Sequence, residues 1–315
     1  MIRLGLCCIF HQAPIKFRTT TATAIKRLPR RDGRKKLADL CAANAMALMD
    51  ALQFCSANGI GCFRVNSRIL PLKTHPDVGY DLEKLPDGRQ IVAQFHACGR
   101  FAKREGLRIT FHLDQFVVLN SPSPDVVQQS TAELEYQAEV AQWIGADVVN
   151  IHAGGAYGDK QAALRTFAKN LAQLSKKARN LLTIENDDKT YTPVALLPFC
   201  REWGLPFVYD IHHHRCTPDG MSEEEATRQA LTTWDREPLL HISSPRGGWN
   251  GPKPHRHHDY IDIRDFPKCW QDIDVTVEVE AKAKELAVKK LAKALARRAA
   301  RFRNITTKKY QNPPR

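Results

Sequence analysis

The sequence contains no Cys-x-x-Cys pair, and its nine cysteines are scattered along the chain. Several of them stand in apolar strand or helix contexts, which favours reduced, buried thiols over a disulfide framework or a zinc ribbon. No apolar run approaches transmembrane length, and the apolar start at residues 1–10 is too short for a signal peptide. We therefore expect a cytoplasmic protein with no membrane partner.

Acids are nearly missing from the carboxyl end. Residues 281–315 hold twelve lysines and arginines against Glu285 alone, and the whole chain carries a formal net charge of +13. This balance favours a polyanionic partner. The basic end by itself fits either a solubilising segment or a nucleic-acid arm.

Glycine is missing from the turn after the first apolar strand, where residues 7–11 read CCIFH. A doubly wound sheet would need a glycine-rich phosphate turn there. Instead, short apolar strands alternate with helical patterns eight times, which is typical of parallel strands joined by right-handed crossovers. We predict an α/β fold, a single-domain TIM (β/α)8 barrel at residues 1–296 with a basic C-terminal helix and, at residues 297–315, a basic and flexible tail.

Carboxylates and imidazoles stand where the predicted strands end. The densest group follows the sixth strand, where Asp210 precedes three histidines at residues 212–214. These donors are typical of a divalent-metal site, although a histidine-rich surface turn has the same composition. The active site of a TIM barrel lies at the carboxyl ends of the strands. Six consecutive strands supply such groups there, namely His112, His152, Glu185, Asp210 with His213, His241, and Glu280.

Any one of these residues could be a core histidine or half of a buried ion pair. Burying all of them together would be costly without cations, so their number predicts two or three divalent ions with Glu185 as a bridge. Glu278 and Glu280 share one face of the eighth strand, and we prefer Glu280 because it lies nearer the catalytic end. Clustered ions suit phosphodiester hydrolysis, and the basic chain suits a nucleic-acid substrate.

The sequence around these residues resembles the ultraviolet damage endonucleases of the UvdE/UvsE type, which are TIM-barrel nucleases with a multi-metal centre. The resemblance runs in order from residue 1 to about residue 295. Its most specific segments are HAGG at residues 152–155, ENDD at 185–188 and DIHHH at 210–214. Further matches are MIRLG at 1–5, FRVNS at 63–67, HLDQF at 112–116, LNSP at 119–122, IHAGGAYGDK at 151–160, HISS at 241–244, HHDYI at 257–261 and EAKAKE at 280–285.

This resemblance implies a repair enzyme that nicks double-stranded damaged DNA on the 5′ side of ultraviolet photoproducts, both cyclobutane dimers and 6-4 photoproducts. It implies a monomer associated with the nucleoid. The metal would be manganese, with zinc, magnesium or cobalt also compatible. The implied catalytic residues are Glu185, Asp210 and Glu280. The implied ligands are His112, His152, Glu185, Asp210, His213, His241, His257 and Glu280, with His75 as a further candidate.

Gln115 and Phe116 match the family's pair that inserts into the duplex beside the lesion. An aromatic wedge can fill the gap left by flipped bases, although Phe116 could instead pack under its own loop. Tyr157 is expected to add a stacking or phosphate contact. Leu6 and Phe116 each stand where some members have a tyrosine, and Leu6 is thereby a candidate for lesion probing with looser discrimination. Leu239 stands where some members carry a modified metal-site lysine, which we expect to be absent.

Three other functions remain open at this point. A sugar isomerase or epimerase of the same barrel superfamily would use the same kind of ligands, but it would not need the basic loop at residues 26–36 or the Gln115–Phe116 pair. An apurinic-site endonuclease would differ in lesion and not in chemistry. A DNA-binding module with structural metals fits less well, because structural zinc sites are usually closed and rich in cysteine.

Overall fold

Eight parallel strands close into a barrel in which each strand pairs with the next along the chain and the last pairs with the first. The structure is a computed structural model that describes residues 2–311, and the side chains of residues 2–299. The strands are β1 (Ile2–Cys7), β2 (Cys62–Asn66), β3 (Arg108–His112), β4 (Val148–His152), β5 (Leu182–Glu185), β6 (Phe207–Asp210), β7 (Leu239–Ile242) and β8 (Val275–Val279). The predicted TIM barrel is confirmed.

Helices connect the strands and bury their apolar faces against the outside of the barrel. They are α1 (Ala22–Lys26), α2 (Arg30–Ala57), α3 (Gly88–Glu105), α4 (Pro124–Ile144), α5 (Lys160–Leu171), α6 (Lys176–Leu181), α7 (Pro193–Trp203), α8 (Ile211–Cys216), α9 (Glu223–Leu231) and α10 (Lys284–Gln311). The connection from β7 to β8, described throughout, departs from the predicted alternation. It carries the short 3₁₀ helices Ile263–Asp265 and Lys268–Trp270 in place of an α-helix.

Several element bounds differ from those that the sequence predicts. The apolar run at residues 3–10 predicts a first strand of that extent, but β1 ends at Cys7, because Cys8 takes a left-handed conformation with φ of 64°. The histidine triplet, expected in a loop, lies in α8, since the Asp210 carboxylate accepts a hydrogen bond from the His213 backbone N–H at 2.8 Å and caps the helix. The boundary predicted between residues 296 and 297 falls inside α10. The flexible tail stays a prediction, and its residues 312–315 lie outside the described residues.

Helix α2 corrects the expectation that no segment approaches transmembrane length. It holds an 18-residue window with a mean hydropathy of 1.2, enough by length and composition to cross a membrane. Its side chains Leu37, Cys41, Leu48 and Leu52 are nevertheless almost completely buried in the core. Packing against the barrel therefore accounts for the apolar composition of α2.

The cysteines confirm the absence of a disulfide framework. All nine lie within the described residues, and all are free. Six of them are buried, including Cys41, Cys55 and Cys98, and burial raises the pKa of the Cys41 thiol to about 11. These thiols are packing residues of the core rather than nucleophiles.

The Glu285 carboxylate, in the first turn of α10, holds the loop that follows β1. It accepts hydrogen bonds from the backbone N–H groups of His11 at 2.7 Å, Gln12 at 2.6 Å and Ala13 at 3.1 Å. Burial would raise the pKa of Glu285, but these three donors hold it below its usual value. The charged form is therefore the one that stabilises the fold.

Replacing Glu285 by glutamine should lower the free energy of unfolding at pH 7 by about 2 kcal/mol, because hydrogen bonds to a charged acceptor are lost. A carboxyl whose pKa is lowered on folding contributes above its unfolded pKa, here 4.5, and loses that contribution as the pH falls through the folded value. The difference between wild type and variant, measured by urea denaturation, should thus shrink below pH 4.5. Glu202→Gln, at an exposed position on α7, is the control. Equal losses in both variants would contradict the assigned role.

Candidate metal centre

The polar side chains of the predicted strand ends lie inside the barrel, at its carboxyl end. Alternation along each strand sends every second side chain into the barrel, so His112, His152, Glu185 and Asp210 enter from β3, β4, β5 and β6. His241 enters from β7, where it stands beside Glu278 of β8 in the strand register. The structure therefore brings together residues that are far apart in the sequence.

Glu185 is the centre of this group. Its Oε2 lies 2.7 Å from Nε2 of His112, and its Oε1 lies 3.1 Å from Nδ1 of His241 and 3.5 Å from Nδ1 of His213. The Asn150 side chain donates a further hydrogen bond to Oε2 at 2.6 Å. The carboxylate is 1% exposed, so its charge is balanced by these neighbours and not by bulk water.

Asp210 and its surroundings form the second part of the group. Asn186 and Asp210 exchange two hydrogen bonds, from Asn186 Nδ2 to the Asp210 carbonyl at 2.8 Å and from the Asp210 N–H to Asn186 Oδ1 at 2.9 Å. Asp210 Oδ1 caps α8. The other oxygen, Oδ2, is buried with no hydrogen-bond partner among the described residues and lies 3.7 Å from His213 Nδ1. One carboxylate oxygen therefore builds the structure and the other is placed to bind a ligand.

The two glutamates of β8 differ in depth. Glu278 is fully buried below the rim, where Thr110 donates a hydrogen bond to it and its Oε2 lies 3.0 Å from Nε2 of His241. Glu280 follows the strand at the rim, with Oε1 at 3.6 Å from His241 Nδ1 and Oε2 at 3.7 Å from His257 Nδ1. Nη1 of Arg64 contacts both, at 3.1 Å and 2.5 Å. Glu280, as expected, is the one nearer the open end.

The charged neighbours of Glu185 and Glu280 decide the protonation states of both carboxyl groups. Burial would raise the pKa of Glu185, but the imidazoles of His241, His152 and His112 hold it well below its usual range. Burial would likewise raise the pKa of Glu280, which Arg64 and His241 keep well below its usual range.

The pKa values of the histidines shift in two directions. Burial would lower the pKa of His213, yet Asp210, Glu185 and Glu280 raise it to about 9. Burial lowers the pKa of His152. Glu185 and Glu280 are thus ionised, and their charge is balanced by cationic neighbours whose protons a divalent ion could displace.

The donor set fits divalent metal ions. Two groups of potential ligand atoms each lie within 4.8 Å of one another, His112 with His152 and Glu185, and Glu185 with Asp210 and His213. The Nδ1–H groups of His112 and His213 donate to the backbone carbonyls of Leu113 at 2.8 Å and Asn186 at 2.9 Å. With Nδ1–H bound to a backbone carbonyl, Nε2 is the nitrogen that a metal ion would bind in place of a proton, as in metal-ligating histidines generally.

His257 and His75 differ in how they relate to this group. His257 lies on the segment after β7, where its ring centroid is 6.5 Å from that of His213. His75 lies in the loop after β2, and its Nδ1 accepts a hydrogen bond from the Asp77 backbone N–H at 3.1 Å. Neither residue belongs to the two groups of converging ligand atoms, but His257 lies 3.7 Å from Glu280, whereas no contact among the side chains of residues 2–299 joins His75 to the cluster. Its proposed ligand role has no support from the geometry.

The predicted DNA-contacting residues differ in their exposure to solvent. Phe116 and Tyr157 are 75% and 54% exposed, and Gln115 is exposed beside Phe116. Leu6 is completely buried, so the prediction that its side chain probes DNA is wrong for this structure. The cause is strand alternation. Gly5 faces the barrel interior, 3.1 Å from Glu278 Cγ if it carried a Cβ, and Leu6 therefore points outward beneath the helices.

Sequence reasoning missed three residues that hold this group in place, namely Arg64, Asn150 and Asn186. Alternation could have found Asn150, because it stands two residues before His152 and shares its face. The same rule places Arg64 inside β2, two residues after Cys62, whose side chain lies beside Thr110. Asn186 lies after β5, where a sequence gives no periodicity to follow.

A TIM barrel with carboxylates and imidazoles converging at the carboxyl ends of its strands is an arrangement that suits metal-dependent enzymes, nucleases and sugar isomerases among them. The model of the family UV-endonuclease UvdE matches residues 2–310 of this chain. The chain belongs to this family, and membership supports a DNA repair endonuclease for ultraviolet damage.

Individual comparisons agree with this assignment. The chain is 32% identical over 302 residues to a UV DNA damage endonuclease of Bacillus velezensis, covering 92% of this chain and 91% of that protein. The crystal structure of SacUVDE superposes with a TM-score of 0.85 at 26% identity, covering 94% of this chain and 99% of that one. Endonuclease IV of Thermus thermophilus has a TM-score of 0.61 at 15% identity, covering 93% and 97%, and shares the fold.

Metal binding should depend on Glu185. For metal-free wild type, manganese at about a hundred times its Kd should raise the Tm by about 5 °C, since binding stabilises the folded state only. Glu185→Gln should reduce this shift by more than half. Glu237→Gln removes a carboxylate at the opposite end of the barrel, where it pairs with Arg3, and should keep the full shift. Differential scanning fluorimetry with and without a chelator gives the values, and equal shifts in all three proteins would refute the assignment.

Proposed function

We propose that this protein nicks duplex DNA on the 5′ side of cyclobutane dimers and 6-4 photoproducts by metal-dependent phosphodiester hydrolysis. The observation that carries the proposal is the convergence of Glu185, Asp210 and the histidines at the open end of the barrel, with Glu280 beside His241 and His257, in a chain of the UV-endonuclease family. The formal net charge of +13 supports a polyanionic substrate.

His112, His152, Glu185, Asp210, His213 and the buried His241 would hold the ions, together with His257 and Glu280 nearer the rim. Two or three divalent ions, manganese foremost, would lower the pKa of a water for attack on the phosphate and stabilise the leaving oxygen. The two ligand groups share Glu185, which supports its role as a bridge.

The protein side chains supply position and charge. The Arg64 guanidinium, 2.5 Å from Glu280, orients that carboxylate and balances its charge at the rim. Asp210 Oδ2 is buried without a hydrogen-bond partner in the part of the chain that the structure describes, so it is placed to bind an ion or to accept a proton. Asn150 orients the Glu185 carboxylate, and Asn186 fixes the backbone of Asp210.

We expect Phe116, Gln115 and Tyr157 to contact the duplex. An aromatic ring that is 75% exposed gains little from packing in the free protein, so packing under its loop does not explain Phe116. Tyr157 has φ of 48°, a left-handed conformation that costs about 1 kcal/mol in a residue with a Cβ. Both residues stand on loops at the carboxyl end of the barrel, after β3 and β4.

The proposed chemistry is tested with a duplex that carries one cyclobutane dimer. Wild type with manganese should nick the strand immediately 5′ to the dimer. Chelator should abolish the cut, and Asp210→Asn should lower the rate at least a hundredfold, because a charged oxygen of the group is lost. If only an abasic-site duplex is cut, the chemistry holds and the lesion is wrong. If neither duplex is cut, the proposal fails.

The wedge role of Phe116 is tested on the same duplex. Phe116→Ala should lower kcat/KM about tenfold, since stacking on a base is worth about 1–3 kcal/mol. Phe116→Tyr keeps the ring and should retain activity. Met46→Ala, on α2 at a position that is 63% exposed, controls for the loss of an exposed apolar side chain. An unchanged kcat/KM in Phe116→Ala would remove this residue from the substrate interface.

A further inference from the structure

A strongly basic cavity of about 420 Å³ adjoins the metal centre. It is lined by Arg64, Arg246, Arg256, Lys282 and Lys284, with His255, His257, Ala281 and a single carboxylate, Glu280. Five permanent cations thus surround a concave site with one acid. A cavity with this lining is suited to a phosphate or another compact anion.

Backbone hydrogen bonds fix the shape of the cavity. Pro245 pairs with His257 in an antiparallel bridge, and the Arg246 N–H donates to the Arg256 carbonyl at 2.6 Å. The segment from Pro245 to His257 thus forms a hairpin. The Lys282 N–H donates to the His258 carbonyl at 3.1 Å, which ties this hairpin to the chain after β8. The hairpin therefore sets Arg246 and Arg256 across from each other and beside Lys282.

Arg64 pairs with Glu278 and Glu280, but the other four cations of the cavity differ from surface arginines that are paired with an acid. Arg264 is paired with Asp262 at 2.5 Å, and Arg228 is paired with Glu225 at 2.6 Å. Among the side chains of residues 2–299, no carboxylate forms such a salt bridge with Arg246, Arg256, Lys282 or Lys284. Helix α10 begins at Lys284, so its positive end adds to the same potential.

The cavity and the metal centre are contiguous, because Arg64, His257 and Glu280 belong to both. A DNA strand carries one phosphate per about 3.4 Å of helix axis. A strand whose scissile phosphate lies at the metal centre therefore has further phosphates within reach of the cavity.

We propose that this cavity binds a backbone phosphate of the DNA strand that flanks the scissile phosphate, and so sets the register of the strand. Arg246 and Arg256 make the contact from the hairpin, and Lys282 from the chain after β8. The inference rests on the proposed function, since it takes the metal centre as the place of cleavage. Contacts of this kind position the strand and carry no sequence information.

Binding of a fluorescent duplex with one dimer, measured by anisotropy in chelator at several salt concentrations, tests the inference. The double variant Arg246→Gln, Arg256→Gln should bind about tenfold more weakly, and its salt dependence should fall by about one to two ions. The double variant Arg228→Gln, Arg264→Gln loses the same charge from paired surface positions and should bind like wild type.

A neutral methylphosphonate placed in turn at each phosphate around the dimer supplies the second measurement. One flanking position should weaken binding to wild type and leave binding to the Arg246, Arg256 double variant unchanged, because the contact is already lost there. Equal affinities of both double variants, or no position with this pattern, would overturn the inference. Cutting is read separately, so an uncut dimer duplex would refute the proposed function while the binding data still decide the role of the cavity.

Discussion

The buried charge of Glu185 is the constraint on which the upper part of the barrel depends. A carboxylate that is 1% exposed would cost several kcal/mol to bury without partners. The charge is compensated by imidazoles on β3 and β7 and by the amide of Asn150, each within 3.1 Å of an oxygen of Glu185. These neighbours keep the carboxyl ionised. Imidazoles are also metal ligands by type, so the side chains that compensate this charge are ones that suit a divalent ion.

Different side chains line the barrel interior below Glu185 and its partners. Val148, Val208 and Leu239 form a separate apolar cluster, with Trp234 packed against it. They stand on the same inward faces as His152, Asp210 and His241, nearer the amino ends of the strands. The lower layer therefore stabilises the barrel by burial, while the upper layer holds ionisable groups whose burial costs free energy. A substitution in the lower layer is expected to act on stability, and one in the upper layer on the site.

Much of this organisation follows from rules that a sequence makes visible. The period of two along each strand is local, so the strand ends at His112, His152 and Glu185 could be aligned from the sequence alone. The helix at residues 211–216 could not, because it is short and depends on the Asp210 cap, which competes with a loop of the same composition. Leu6 was misplaced because the resemblance supplied a role for its position without the direction of its side chain. The balance between Arg64 of β2 and the two glutamates Glu278 and Glu280 needed the closed barrel, because β1 pairs with both β2 and β8 and so brings them near each other.

The distribution of charge, rather than its total, relates the centre to its substrate. Net positive charge attracts any polyanion but does not determine where that polyanion binds. Arg64 is already committed to Glu278 and Glu280, so it stabilises the centre and has little capacity left for a ligand. Arg246 and Arg256 are held by the backbone of a hairpin, and no acid among the described side chains forms a salt bridge with them, so their charge is available to a partner. Preorganised cations of this kind beside a cluster of ionised carboxylates divide the mouth of the barrel into two regions. One can take cations and the other can take phosphate, which is the pattern that a metal-assisted cut in a nucleic-acid strand requires.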